Sequence, residues 1–244
     1  MPIANRKEEV TNGISIKART KKPAEALNET PIKYVLQNLR AEYGVPSPEQ
    51  GLDPLDVLIG TILSQSTTNV NSRRTYDNLK RRFPSWDTAR RARASSIEAA
   101  IREGGLAKQK SVRIKLLLND IYRRRGCLDL SFLKTCPLDE ARGFLSALKG
   151  VGPKTVACTL LFSCGRPVFP IDVHIFRIAR RLKLLPERCS DEEAHRVMER
   201  LIPSSRYYEA HVNLIRHGRR ICRPTEPRCE ECCIVDYCDY YRTR

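Results

Sequence analysis

Apolar residues recur through most of this chain at the three- and four-residue spacing of a helix, and this periodicity is what most restricts its fold. Residues 55–63, for example, place Leu55, Leu58 and Ile62 on one face. Alternation with a period of two, which is typical of a half-buried strand, is almost absent. The sequence therefore predicts an all-α fold.

The charge of the chain indicates a polyanionic partner. Lys and Arg number 44 against 28 Asp and Glu, a formal net charge of +16 over 244 residues. The basic residues are spread along the chain, which favours a folded surface that meets nucleic acid over a disordered basic arm. Charge alone would also fit a ribosomal protein or a protein that binds a membrane surface.

The sequence also predicts where the protein resides. No run of about 18 apolar residues is present, so we expect no membrane-spanning helix and no membrane partner. Residues 1–29 lack the apolar core of a secretory signal and are predicted to form a flexible basic tail. We therefore expect an intracellular protein, in which ten cysteines do not indicate a disulfide framework.

The segment LKGVGPKTVAC, residues 148–158, predicts a tight turn between two helices. Gly150 and Gly152 bracket Val151, and both glycines permit backbone angles that are closed to other residues. Pro153 suits the first position of a new helix, whose unpaired amides would bind a phosphate regardless of base sequence. The motif is not a P-loop, which requires Gly immediately before Lys. An ordinary hairpin between packed helices is the alternative.

Two charged residues follow this turn, and each has two interpretations. Lys154 lies in the first turn of the new helix, where it could be an amine nucleophile, a phosphate contact or a solvated side chain. Asp172 precedes a helix with apolar positions at Ile175 and Ile178, so it is a natural N-cap. It could also be the carboxylate that accepts a proton from the amine.

These segments resemble a known family. LKGVGPKTVAC and PIDVHIFR are similar to the helix-hairpin-helix and catalytic-aspartate segments of the endonuclease III family of DNA glycosylases. The lysine and aspartate of that family are eighteen positions apart, as Lys154 and Asp172 are here. The resemblance covers residues 30–244.

The resemblance implies a fold of two domains. A six-helix barrel, residues 51–165, would end in the helix-hairpin-helix. An iron–sulfur cluster domain would be discontinuous, built from residues 30–50 and 166–244. The pocket for an extruded base would lie between the two domains.

A cysteine group close to the last residue indicates a metal centre. Cys222, Cys229, Cys232 and Cys238 have the spacing C-x6-C-x2-C-x5-C, and four such thiolates could bind zinc or an iron–sulfur cluster. A single C-x2-C pair weakly favours the cluster. The endonuclease III family has this spacing for its [4Fe–4S] cluster, which the resemblance therefore implies here. Cys233 could replace Cys232, although the family register favours Cys232.

The resemblance also implies residues that contact DNA. Leu106 matches the family's wedging leucine, although it could instead be a core leucine at a helix end. The family usually has a glutamine where Ser66 stands, and Gln65 lies one place earlier. Asn69 and Ala107 also depart from the family, which has an aspartate and often an aromatic residue there. These departures put the substrate preference in doubt.

The function that the resemblance implies is a bifunctional glycosylase and AP lyase for oxidised pyrimidines. Lys154, helped by Asp172, would form a Schiff base, and β-elimination would cut the strand 3′ of the lesion. Its partner would be double-stranded DNA with damaged bases or abasic sites, bound by a monomer. The alternatives are a relative for uracil, mismatched thymine or another lesion, a non-catalytic DNA-binding module, and, more remotely, a zinc-bearing RNA-binding protein.

Overall fold

A computed structural model describes residues 31–244, with only the main chain at Asn69. The predicted tail, residues 1–29, lies outside the described residues. These residues contain no β-strand, which confirms the all-α prediction. They form twelve α-helices: α1 Ile32–Tyr43, α2 Pro54–Ser64, α3 Asn69–Arg82, α4 Trp86–Arg91, α5 Ala94–Ala100, α6 Ala107–Arg125, α7 Leu138–Ser146, α8 Pro153–Cys164, α9 Val173–Arg181, α10 Asp191–Leu201, α11 Tyr207–Arg220 and α12 Asp239–Arg242.

The helices pack around two hydrophobic cores. The first contains buried side chains between Leu55 and Val168, from α2 to α8. The second joins α1 to α9, α10, α11 and the segment that ends at Tyr237. Within the described region, no helix has the length and apolar character of a bilayer-spanning segment. The domain boundaries at residues 50/51 and 165/166 stay a prediction.

Helix α8 links the two cores. Leu160 belongs to the first core and Leu161 to the second, and the contact between α2 and α8 is the most extensive between helices. Its buried hydroxyl groups are satisfied within the helix, since Thr159 donates to the carbonyl of Thr155 at 2.9 Å and Ser163 to that of Thr159. Because α8 is buried on most faces, the residues of its first turn stand on a rigid support.

Candidate active site

The turn before α8, residues 147–152, is called the hairpin turn here. Gly150 has φ +83°, a left-handed conformation that favours glycine. Gly152 is extended, with φ −91°, so of the two glycines only Gly150 uses the conformational freedom that both permit. A Cβ on Gly152 would meet no atom within 4 Å, which leaves that side of the turn open to a ligand backbone. Val151 is buried in the first core and anchors the turn.

The structure places Asp172 as the N-cap of α9. Its Oδ1 accepts hydrogen bonds from the amides of His174 and Ile175, both at 2.9 Å. The capping interpretation is therefore confirmed. Both bonds go to Oδ1, so the cap engages one of the two carboxylate oxygens, and Oδ2 can serve a second purpose.

The charges of Lys154 and Asp172 both influence the pKa values of two buried side chains, Cys158 and His211. Burial raises the pKa of the Cys158 thiol to about 12, an effect that Lys154 opposes and Asp172 adds to. Burial lowers the pKa of His211 to about 4, so this imidazole is neutral at pH 7; as at Cys158, Asp172 raises this pKa and Lys154 lowers it. Packing thus gathers the lysine and the aspartate around one small region, although eighteen positions separate them in the sequence.

Three side chains that sequence reasoning missed fix the turn that carries Asp172. The Nδ1 of His211 donates to the carbonyl of Pro170 at 2.9 Å. The amide of Ile171 donates to Nε2 of His195 at 3.2 Å, and the amide of Phe169 donates to Glu199 at 3.0 Å. The turn is therefore held by α10 and α11. In the sequence these residues show only as polar positions within amphipathic helices.

Two loops face each other beside the hairpin turn. The Ser66 loop, residues 65–68, joins α2 to α3, and the Leu106 loop, residues 104–106, precedes α6. A Cβ on Gly105 would lie 3.6 Å from the carbonyl oxygen of Ser66, so the loops are in contact. Ser66 and Leu106 have φ of +53° and +52°. Residues other than glycine rarely adopt this backbone conformation, and it often occurs at functional sites.

The exposure of Leu106 argues against a core role. Its side chain is 50% exposed, unlike the fully buried leucines of α2. Gln65 is partly buried, and its Oε1 accepts a hydrogen bond from Nη1 of Arg113 at 2.7 Å. The same guanidinium group packs on the hairpin turn, because a Cβ on Gly150 would lie 2.9 Å from its Nε. Arg113 thereby connects the Ser66 loop to the hairpin turn, and nothing in the sequence distinguishes it from neighbouring basic residues.

The four predicted metal ligands, Cys222, Cys229, Cys232 and Cys238, surround one cavity. Cys233 does not line it. Among the described residues, no three His, Cys, Asp or Glu side chains are close enough together to hold a single metal ion. Four thiols around a cavity form a donor set that suits an iron–sulfur cluster.

Two arginines on α9 hold the cysteine segment, and the sequence did not single them out. Arg181 donates from Nη1 to Sγ of Cys222 at 3.1 Å and to the carbonyl of Arg223 at 2.7 Å. Arg177 donates from Nε to the carbonyl of Cys222 at 3.0 Å. The donor to sulfur would offset negative charge on a thiolate ligand.

The fold and the site define a class of protein that sequence comparison also identifies. Residues 59–204 match the HhH-GPD superfamily of base excision DNA repair proteins, and the chain belongs to this superfamily. The predicted resemblance to endonuclease III is confirmed. Endonuclease III of Sulfolobus acidocaldarius is 33% identical over 188 residues, which cover 75% of this chain and 81% of that protein.

Two further comparisons describe the extent of the similarity. A candidate DNA glycosylase of Arabidopsis thaliana is 40% identical over 185 residues, 76% of this chain. The match spans 62% of the length of that relative. A solved structure of a trapped covalent intermediate of endonuclease III with DNA has the same fold, with a TM-score of 0.76 and 23% identity. That similarity covers 88% of this chain and 99% of the other.

Proposed function

We propose that this protein removes oxidised pyrimidines from double-stranded DNA and then cuts the strand at the resulting abasic site. One observation carries the proposal. The charges of Lys154, in the first turn of α8, and of Asp172, at the start of α9, both influence the pKa values of the same buried pair, Cys158 and His211. A DNA-binding module that used only main-chain amides would need neither charged residue.

The hairpin turn and the two loops would prepare the substrate. The open side of Gly152 and the amides at the start of α8 would bind a backbone phosphate without reading the bases. A base inside a duplex must swing out before an enzyme can act on it, and the gap must be filled. Leu106 and Ser66 stand at adjacent loop tips and would enter the duplex, with Gln65 behind them.

The chemistry would use the amine and the carboxylate in turn. A free electron pair on Nζ of Lys154 attacks C1′ of the extruded nucleotide, while the bond from C1′ to the base breaks and the base leaves with the bonding electrons. Asp172 supplies negative charge to the positive sugar and receives a proton from the attacking amine. The nitrogen and C1′ then form a Schiff base as the sugar ring opens. A water molecule takes a proton from C2′, the electrons of that C–H bond form a double bond to C3′, and the 3′ phosphate leaves with the electrons of its bond to C3′, which cuts the strand by β-elimination.

A related lesion is the second candidate substrate, and two residues favour it. Ser66 and Asn69 replace a glutamine and an aspartate that the family usually carries where bases are read. Uracil or mismatched thymine would then be the base released. The chemistry at Lys154 would be unchanged, because these positions lie in the Ser66 loop and at the start of α3.

We also propose that Cys222, Cys229, Cys232 and Cys238 hold a [4Fe–4S] cluster. Support comes from their shared cavity and from the donation of Arg181 to Cys222. When bound, such a cluster would fix the shape of the cysteine segment, which Arg177 and Arg181 of α9 contact, and so support the helix that Asp172 caps. A site with four protein ligands leaves no open position for substrate, so its role would be structural.

Replacing Cys232 by serine tests the cluster. The Cys232→Ser variant is expected to lose the yellow-brown visible absorption of the purified protein and to unfold at a lower temperature, because a ligand to a buried group is lost. Cys233→Ser is the matched control, since the neighbouring thiol does not line the cavity. Equal loss of colour in both variants would contradict the assignment of Cys232. A colourless wild-type protein that contains zinc would contradict the cluster itself.

Borohydride trapping tests the proposed function directly. Two otherwise identical duplexes would carry an abasic site or thymine glycol, and reduction would fix any Schiff base as a covalent adduct. We expect adducts on both. An adduct on the abasic duplex alone would support the lyase reaction and direct attention to uracil and mismatched thymine. No adduct on either duplex would contradict the proposal and favour a non-catalytic DNA-binding module.

A further inference from the structure

Lys110 is a buried charged residue that the proposed reaction does not use. It ends the first turn of α6, is 3% exposed, and donates from Nζ to the carbonyl of Leu63 at 2.8 Å and to that of Gly104 at 2.9 Å. Burial lowers the pKa of this lysine. An ammonium group is retained at such a place only when hydrogen bonds compensate its lost hydration, as the two carbonyls do here.

The two carbonyls belong to different elements, each of which ends at this point. Leu63 lies in the last turn of α2, where carbonyls lack donors within the helix and carry partial negative charge. Gly104 ends the 3₁₀ turn Arg102–Gly104. A Cβ on Gly104 would lie 2.8 Å from Oγ1 of Thr75, so that turn is also packed tightly against α3. Lys110 therefore joins two chain segments that no main-chain hydrogen bond in the described structure connects.

Each carbonyl lies at the base of one of the two loops that are proposed to enter the duplex: Leu63 lies just before the Ser66 loop, and Gly104 is the first residue of the Leu106 loop. Ser66 follows Leu63 by three residues, and Leu106 follows Gly104 by two. Ser66 and Leu106 both hold left-handed backbone conformations, which persist only where the surrounding structure enforces them. A bridge at the base of both loops is well placed to enforce these conformations and to fix the distance between the tips.

We infer that Lys110 is a positioning residue for base extrusion: its ammonium group holds the Ser66 loop and the Leu106 loop in the arrangement that enters the duplex. This inference rests on the proposed function. Both of its acceptors are main-chain oxygens at the two loops, and neither belongs to the hairpin turn or to the turn that carries Asp172. Lys110 thus acts on the release of a stacked base and not on the chemistry at Lys154.

A second lysine on α6 provides a matched control. Nζ of Lys115 donates to the carbonyls of Arg90, at 2.9 Å, and Ala92, where α4 ends. Lys110→Met and Lys115→Met therefore remove the same kind of interaction from the same helix. Only the first lies at the loops.

Amide hydrogen exchange tests the bridge without reference to activity. In Lys110→Met, faster exchange is expected in residues 63–67 and 104–107, because local opening becomes easier where the bridge is lost. In Lys115→Met, faster exchange is expected at residues 90–93 and not at the loops. Unchanged exchange at the loops in Lys110→Met would overturn the inference.

Single-turnover kinetics test the consequence for extrusion. On a thymine glycol duplex, Lys110→Met is expected to slow base release by about a hundredfold, the loss that a misplacement of ~1 Å can bring. Cleavage of a preformed abasic site should fall far less, since no stacked base has to be extruded. Lys115→Met should leave both rates unchanged.

Two kinetic outcomes would overturn the inference: equal losses on both duplexes in Lys110→Met, or the same pattern in Lys115→Met. A wild-type protein that releases no base from thymine glycol would contradict the proposed substrate. The exchange comparison would then still decide whether Lys110 holds the two loops.

Discussion

Replacing Lys154 by alanine is expected to abolish strand cleavage and borohydride trapping while leaving duplex affinity nearly intact. The loss in rate should be on the order of 10⁴, because a group that forms the covalent intermediate acts in every turnover. Affinity should change by no more than about threefold, the usual effect of a substitution away from the contacts that hold a complex. Lys154 is half-buried in the first turn of α8, so alanine at this position should not disturb the fold. Gel-based cleavage and trapping measure the first effect, and titration with an abasic duplex measures the second.

Lys149→Ala is the control that separates chemistry from charge. Lys149 is an exposed lysine in the hairpin turn, five positions before Lys154. Its loss should weaken DNA binding and reduce the dependence of affinity on salt, without preventing formation of the covalent adduct. If Lys154→Ala instead lost binding and cleavage to the same extent, Lys154 would be a phosphate contact and not the nucleophile.

Asp172→Asn is expected to slow base release by about 10²–10³-fold with little change in thermal stability, since it removes a charge aimed at the transition state. The amide oxygen of asparagine can still accept the two bonds from His174 and Ile175, and the two residues are nearly equal as N-caps. The lost charge removes both the stabilisation of the positive sugar and the proton acceptor for Lys154. Single-turnover base release and thermal unfolding of the same preparation give the two measurements.

Asp53→Asn repeats this substitution at a cap without chemistry. Asp53 begins α2 and accepts from the amides of Leu55 and Asp56, at 2.9 and 3.0 Å, in the same manner as Asp172. Both variants should have similar melting temperatures, and only Asp172→Asn should lose activity. A destabilised Asp172→Asn variant with unchanged specific activity would show that capping is the whole role of Asp172.

The two interpretations of Asp172 in the sequence do not exclude each other. One carboxylate oxygen caps α9, and the other is left for the proposed proton transfer from the amine of Lys154. Leu106 is a different case, because helix-end periodicity alone fits a buried leucine and an exposed wedge equally well. Only its burial and its left-handed backbone separate these interpretations. The sequence motif likewise does not reveal which of the two hairpin glycines adopts a positive φ.

The features that could be predicted from the sequence are those that depend on local interactions. Helix periodicity, Pro153 at the first position of α8 and the cap at Asp172 involve residues within a few positions of each other, so their physical causes can be recognised directly. The spacing of the four cysteines is local in the same sense. These features sufficed to predict an all-α protein, and the resemblance of residues 148–158 and 170–177 to the endonuclease III family supplied the type.

The contacts that arrange the site join residues far apart in the sequence, and they become visible only in the folded protein. Lys110 reaches a carbonyl 47 residues away, and Arg113 reaches a glutamine 48 residues away. His211 fixes a turn 41 residues before it. A lysine in an amphipathic helix is expected to be solvated, and burial between two carbonyls depends on how α2, α3 and α6 pack together. Such packing results from the sum of many long-range contacts, none of which leaves a mark on the sequence around Lys110.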